Sequence, residues 1–172
     1  MAFSGVQRFR SPYQLLEYMN SFAYADFEFL MSPAEVFDTC TGSCHDQVML
    51  ELDELGMQGL NPQAMFIMAM YPEQTLDTAR GDTVIIGGET HSFVYWEKDG
   101  KCYWFENAWR DYQGLHEFDS EQDLLDAVIS AFAERNPDQY IYLASFDPDE
   151  HAIGEDLDTL VDTCMDNAKR VV

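Results

Sequence analysis

Basic residues are scarce in this chain of 172 residues. Nine Lys and Arg residues face 32 Asp and Glu residues, so the formal net charge is −23 and the pI is about 4.1. Such a surface repels a polyanion rather than steering it in, because a phosphate backbone needs cationic partners. The composition therefore argues against nucleic acid as a partner.

Long apolar segments are missing as well. The longest uninterrupted apolar run, residues 64–71, has eight residues, whereas a membrane-spanning helix needs about 20. The first ten residues lack the continuous apolar stretch and the small-residue cleavage site of a secretory signal. We therefore expect no membrane partner and a cytoplasmic location.

The four cysteines follow neither a disulfide framework nor a zinc-binding pattern. Cys40, Cys44, Cys102 and Cys164 contain no CxxC pair, and a chain of this length builds a core without disulfides. The C-x3-C-H spacing at Cys40 matches no common structural zinc site. We expect free thiols, each either packed in the core or acting as a nucleophile, and no metal or organic cofactor.

Side chains that can be buried are plentiful. Hydrophobic residues make up 47% of the chain and aromatic residues 14%, which is far more than a disordered chain contains. No internal repeat and no linker rich in Pro, Gly or Ser divides the sequence. We predict one domain over residues 1–172.

The spacing of apolar residues predicts an α+β layout, with helices first and antiparallel strands mixed with further helices later. Serine N-caps and glycine stops set most of the expected boundaries. Predicted helices begin at Ser11-Pro12, Ser32-Pro33, Ser43 and Ser120, and another covers residues 154–170; predicted strands cover residues 64–71, 83–86, 91–97, 101–107 and 140–144, with a polar loop over 72–82.

One cysteine stands at the start of a predicted helix. The apolar positions that follow Cys44 recur at steps of three and four residues, and the pattern ends at Gly56. The unpaired N–H groups and the dipole at a helix N-terminus favour a thiolate. Cys44 is therefore the candidate nucleophile, whereas Cys102 and Cys164 lie in apolar patterns typical of the core.

A nucleophilic thiol needs a base, and the chain offers four histidines. His45 is adjacent to Cys44, but neighbouring helical side chains point about 100° apart, which argues against contact with the thiol. His116 and His151 show no partner by spacing and are expected in loops. His91 begins a predicted strand of a hairpin and is the candidate base.

The strongest hairpin signal joins residues 91–97 to residues 101–107 through residues 98–100. A three-residue loop with its glycine in the left-handed region places opposite charges and aromatic rings in pairs on one face. A two-residue turn at residues 99–100 shifts the pairing by one position. The cross-strand pairs favour the three-residue loop.

The preferred register places His91 opposite Asn107. The side-chain carbonyl of Asn107 then holds the imidazole ring in its useful tautomer, as the third member of a Cys-His-Asn arrangement does. Strand alternation turns Glu106 to the opposite face in this register, so Glu106 is the weaker candidate for that position.

Three segments resemble the transglutaminase-like cysteine enzymes of the papain-like superfamily. They are residues 41–47 (TGSCHDQ), 90–96 (THSFVYW) and 103–109 (YWFENAW), and the resemblance covers about residues 38–118. It implies a papain-like α+β fold in which the nucleophile helix packs on an antiparallel β-sheet.

The resemblance also implies residue roles. Cys44 corresponds to the nucleophile, His91 to the general base and acid, and Asn107 to the residue that orients the histidine. Many transglutaminase-like enzymes have Asp followed by Pro at the third position, and the Asn-Ala-Trp here is closer to the Asn-Ser-Trp of papain-like peptidases. The papain oxyanion glutamine is missing, which leaves Thr39, Thr41 or the Cys44 backbone N–H for that role.

These observations predict cysteine-dependent acyl transfer, either hydrolysis or transamidation, on a peptide, a protein or a small amide. The alternative is a catalytically inactive transglutaminase-like scaffold that binds a protein partner through its acidic surface. Residues 117–172 contain 15 acidic and 3 basic residues, which gives the alternative its charged surface.

Overall fold

A six-stranded antiparallel sheet forms the centre of the fold. The computed structural model describes residues 7–71, 75–77, 83–85 and 88–172. In chain order the elements are α1 (Pro12–Met19), β1 (Ala23–Tyr24), α2 (Pro33–Thr39), β2 (Thr41–Gly42), α3 (Cys44–Met57), β3 (Gln63–Met70), β4 (Thr75–Asp77), β5 (Thr83–Ile85), β6 (Glu89–Lys98), β7 (Lys101–Glu106), β8 (Gly114–Phe118), α4 (Glu121–Arg135), β9 (Tyr140–Phe146), α5 (Leu157–Asp166) and β10 (Lys169–Arg170). The order across the sheet is β10-β9-β3-β6-β7-β8, which confirms the predicted α+β class.

Four predicted helix starts are confirmed. At each N-cap the serine side chain accepts a hydrogen bond from the backbone N–H three residues later, which satisfies one of the donors that a helix leaves unpaired. The capping residues are Ser11, Ser32, Ser43 and Ser120.

The last helix is shorter than the sequence predicts. It begins at Leu157 rather than at Gly154, because Gly154 has a φ of 82° and the Asp156 side chain caps the helix by accepting from the Thr159 N–H at 2.9 Å. The predicted end of the helix, residues 169–170, is instead strand β10 and pairs with β9.

The polar loop predicted over residues 72–82 falls mainly outside the described residues. Its described part, β4, pairs antiparallel with β5, so this part is a strand. The strand predicted over residues 83–86 is confirmed for residues 83–85, and residue 86 lies outside the described residues.

The β6–β7 hairpin differs from the predicted register by one residue. Lys98 pairs directly with Lys101, and Asp99 and Gly100 have φ values of 54° and 76°. Two left-handed residues in sequence form the two-residue turn whose twist matches that of the flanking strands. The prediction of a three-residue loop was wrong because it relied on cross-strand side-chain pairs rather than on the conformation that the turn residues prefer. A shift of one residue exchanges the two faces of β7 relative to β6.

The sheet separates two apolar layers. Side chains alternate along β3, so Phe66 and Met68 join the layer under α1, α2, α3 and α5, while Ile67 and Ala69 join the layer under α4. Cys164 is buried in the first layer and Cys102 in the second, as predicted. None of the helices in the described ranges has the length and apolar character that crossing a bilayer requires.

Candidate active site

The N-terminus of α3 holds the candidate nucleophile. Cys44 is the first residue of the helix and only 2% exposed. Asp46, two residues later, is fully buried, and its carboxylate accepts hydrogen bonds from the Ser43 N–H at 2.9 Å, the Ser43 hydroxyl at 2.8 Å and the Met31 N–H at 2.8 Å. These bonds fix the helix start, and with it the direction of the Cys44 side chain.

We expect Asp46→Ala to lower the free energy of unfolding by about 3 kcal/mol, because it leaves buried N–H groups of Ser43 and Met31 without an acceptor. Glu35 occupies the same position in the exposed capping box of α2 and provides a matched control. Glu35→Ala removes the same charge and should cost far less, since water replaces the lost acceptor. Urea denaturation measures both variants, and equal losses would contradict the importance of burial.

A carboxylate holds the ring of His91. The Nε2 of His91 lies 2.7 Å from Oε2 of Glu106, and both side chains are buried. The other carboxylate oxygen, Oε1, accepts from the Trp109 backbone N–H at 2.7 Å. Because Nε2 is engaged by Glu106, Nδ1 is the nitrogen left for a hydrogen bond with Cys44. The edge of Trp109 also packs against the ring, with centroids 5.5 Å apart.

The environment of Cys44 favours the thiolate. Burial alone raises the pKa of this thiol, but its electrostatic and side-chain interactions with His45 and His91 outweigh burial and lower the pKa to about 5. An ordinary cysteine has a pKa of about 8.5. Cys44 is therefore ionised at neutral pH.

His91 is shifted in the opposite direction. Burial lowers the pKa of its imidazole, but the charge of Glu106 and hydrogen bonds with Cys44 and Glu106 raise the pKa to about 10. Between about pH 5 and pH 10, Cys44 and His91 thus form a thiolate–imidazolium pair. Such a pair supplies both a nucleophile and a proton donor.

Asn107 follows Glu106 in the chain but belongs to a different hydrogen-bond network. Its Nδ2 donates to Oε1 of Gln47 at 2.6 Å, and its Oδ1 accepts from Nε2 of Gln113 at 2.7 Å. Gln47 in turn donates to the Gly42 carbonyl at 2.9 Å. Asn107 therefore ties the end of β7 to the turn that precedes Cys44.

The expected contact between Asn107 and His91 is replaced by the contact between Glu106 and His91. The cause is the two-residue turn, since the observed register turns Glu106 to the face of β6 that carries His91. The sequence contained the signal for this arrangement, because Asp-Gly is the preferred pair for such a turn.

Tyr24 is a site residue that sequence analysis missed. Its hydroxyl donates to Sγ of Cys44 at 3.9 Å. The short strand β1 pairs in parallel with β2, so Tyr24 lies opposite Gly42, two residues before the thiol. Burial and the neighbouring Cys44 raise the pKa of Tyr24 well above its usual value, which keeps its hydroxyl protonated as a donor.

Strand β6 holds the ring of His45. Its Nδ1 lies 2.8 Å from the Ser92 hydroxyl and its Nε2 lies 3.4 Å from the Thr90 hydroxyl. The electrostatic interaction of this ring with Cys44 lowers the pKa of the thiol. That helical geometry keeps His45 from contact with the thiol stays a prediction.

A second buried carboxyl group, that of Glu51, interacts with Cys44, His91 and Glu106. Glu51, two helical turns after Cys44, is 2% exposed. Burial and the charge of Glu106 raise the pKa of Glu51 well above its usual range, which favours its neutral form. Two buried carboxyl groups that interact in this way cannot both be charged cheaply.

The other histidines are more buried than expected. His116 lies in β8, where its Nε2 contacts the Tyr112 carbonyl at 2.7 Å and its ring packs on Trp104. The ring of His151 lies between Glu155 at 2.9 Å and Sγ of Cys164 at 3.7 Å. His116 was expected in a loop and lies in a strand instead, whereas His151 lies in a loop as expected; both have partners that the spacing did not predict.

The thiol of Cys164 also lies next to a histidine, His151, but its pKa is shifted in the opposite direction from that of Cys44. Burial and the charges of Glu150 and Glu155 raise the pKa of Cys164 to about 12. This thiol therefore stays protonated at neutral pH although an imidazole is adjacent. The comparison shows that one adjacent imidazole does not by itself lower the pKa of a buried thiol.

A cavity of about 300 Å³ opens beside His91 and Tyr24. Trp109 and Phe132 give it aromatic walls, and Arg135 contributes a cation. Within the described ranges, no group of three or more His, Cys, Asp or Glu side chains has the arrangement of a metal site.

Comparisons with known proteins identify no family for this chain. No family model matches the sequence, and no curated protein matches it significantly. The transglutaminase-like resemblance therefore remains a prediction.

Proposed function

We propose that the protein is a cysteine-dependent acyltransferase or hydrolase with a papain-like arrangement of nucleophile helix and sheet. The observation that carries the proposal is the buried series Cys44, His91 and Glu106, in which the imidazole lies 2.7 Å from the carboxylate and lowers the pKa of the thiol. In this proposal Cys44 is the nucleophile, His91 the general acid and base, and Glu106 the orienting group. Asn107 positions the loop before Cys44.

The first half-reaction forms a thioester. The Cys44 thiolate attacks the carbonyl carbon of an amide, and the new oxyanion lies near the first N–H groups of α3, which have no intrahelical partner. The Tyr24 hydroxyl is a second donor at the same place. The C–N bond then breaks as the His91 imidazolium gives its proton to the departing amine.

The second half-reaction releases the acyl group. His91, now neutral, takes a proton from water or from a primary amine as that nucleophile attacks the thioester carbonyl. The C–S bond breaks, and the thiolate returns to its pairing with the imidazolium. Water gives hydrolysis and an amine gives transamidation, so neither path needs a cofactor.

The test is acylation with p-nitrophenyl acetate followed by mass spectrometry of intact protein and peptides. We expect an acetyl group on Cys44 that is lost with time, and lost faster when a primary amine is added if transamidation dominates. Cys44→Ser should show no acetylation at this position, and Cys164→Ser should behave like the unmodified protein. Absence of acylation at Cys44 would overturn the proposal.

The inactive scaffold is less well supported. Burying an ionised thiol, an imidazolium and a carboxylate together costs stability, and such perturbed groups cluster at functional sites. A scaffold that binds through its acidic surface has no use for this buried series, and an unreactive Cys44 would favour it.

A further inference from the structure

We propose that the cavity beside His91 binds the carboxylate of a negatively charged acyl substrate, with Arg135 as the main recognition group. The inference rests on the proposed function, since the substrate reacts at Cys44. It narrows the substrate class from amides in general to amides or esters that carry a free carboxylate near the scissile carbonyl.

The position of the cavity connects it to the thiol. Tyr24 and His91 line the cavity; Tyr24 donates to the Cys44 sulfur at 3.9 Å, and His91 lowers the pKa of that thiol. A group bound in this cavity is therefore separated from the reacting sulfur by one side chain. A volume of about 300 Å³ is at the lower end of small-molecule sites, which fits a short acyl chain or one amino-acid residue.

Arg135 is held at the wall of the cavity by two contacts. Its Nε donates to Oε1 of Glu89 at 2.7 Å, and its guanidinium carbon lies 5.9 Å from the ring centre of Trp109. A guanidinium has five N–H donors in a planar fork that matches a carboxylate. The contact with Glu89 engages one edge of this fork, and the side chain is half exposed, so donors remain for a ligand.

A second arginine adds positive charge to the same cavity. Arg110 donates to the backbone carbonyls of Asn20 and Phe22, and these neutral acceptors leave its charge uncompensated. The lining also contains Glu89 and Asp111, so its two carboxylates balance its two arginines. On a chain with a net charge of −23, a cavity with guanidinium donors is a favourable place for an anion.

The indole ring of Trp109 also favours a ligand in this cavity. Its indole Nε1 is buried and has no hydrogen-bond partner among the described residues, although buried polar groups are nearly always paired. The ring lines the cavity and meets Phe132 edge to face. An unsatisfied donor and an aromatic wall together suit a ligand with an apolar chain and an anionic end.

The test compares two alkylating reagents that differ in charge. The rate of Cys44 alkylation is measured with iodoacetate, which is anionic, and with iodoacetamide, which is neutral. The rate with iodoacetate divided by the rate with iodoacetamide is then compared across variants. We expect Arg135→Gln to lower this ratio about three-fold, as loss of a nearby, partly screened charge should. Arg135→Lys should keep most of the ratio, and Glu89→Gln should raise it.

Arg170→Gln is the matched control, because it removes the same charge from β10, which two strands separate from β6. We expect it to leave the ratio unchanged. If Arg135→Gln and Arg170→Gln give the same ratio while iodoacetamide still labels Cys44 selectively, the carboxylate proposal is overturned and the proposed function stands. If neither reagent labels Cys44, both fail together.

Discussion

Replacing His91 by alanine is expected to slow the reaction of Cys44 with iodoacetamide at pH 6 by roughly 30-fold. The unmodified site is mainly thiolate at this pH, because the pKa of Cys44 is about 5. Without the His91 imidazolium only His45 offsets burial, so the pKa of Cys44 rises and the thiolate fraction falls, although a more basic thiolate is intrinsically more nucleophilic and offsets part of the loss. Peptide mass spectrometry over a time course measures the rate.

Two comparisons make this result specific. Cys164, with a pKa of about 12, should remain almost unlabelled under the same conditions, and His151→Ala should not change the rate at Cys44. A Cys44 that reacts no faster than Cys102 or Cys164 in the unmodified protein would contradict the assignment of Cys44 as a nucleophile.

Glu106→Gln is expected to reduce acyl transfer by about 100-fold near neutral pH, which is typical for disabling a general acid and base. The substitution removes the charge that raises the pKa of His91 to about 10. The upper limb of the pH–rate profile should therefore move to lower pH, because the imidazolium is lost earlier as the pH rises. The pH dependence of the acetylation rate of Cys44 measures this shift.

Asn107→Ala distinguishes Asn107 from Glu106 as the residue that orients His91. Asn107 bonds Gln47 and Gln113, so its loss should destabilise the fold by about 1–3 kcal/mol without moving the upper limb of the profile. Should Asn107→Ala shift that limb while Glu106→Gln leaves it in place, the assignment of Glu106 would be wrong and the Cys-His-Asn arrangement would be correct.

Local signals in the sequence were sufficient for four helix starts and for two of the candidate site residues. Serine caps fix the helix starts because the capping hydrogen bond involves only residues three apart. Cys44 and His91 were identified because one opens a helix and the other begins a hairpin strand. Each assignment depends on a few neighbouring residues, and the structure places both residues at the same site.

The rest of the site depends on contacts between distant segments. Glu106 was ranked below Asn107 because the register followed side-chain pairing, whereas two left-handed residues at the turn determine it. Tyr24 reaches the thiol only through the parallel pairing of β1 with β2, and two residues per strand leave no pattern in the sequence. Glu51 depends on the packing of α3 against the sheet.

The two cysteine–histidine pairs illustrate why residue type alone does not identify a nucleophile. Both thiols are buried and both have an imidazole nearby. At Cys44 two histidines contribute, and the pKa falls. At Cys164 burial raises the pKa, and the charges of Glu150 and Glu155 raise it further.

The central claim is that Cys44 is a thiolate paired with the His91 imidazolium at neutral pH. The most direct test is titration of the thiolate absorbance near the ultraviolet limit, taken as the difference between the unmodified protein and Cys44→Ser. The account predicts a rise in absorbance centred near pH 5, as the pKa of Cys44 requires. A rise centred at the ordinary cysteine value of about 8.5, or above it, would contradict the account.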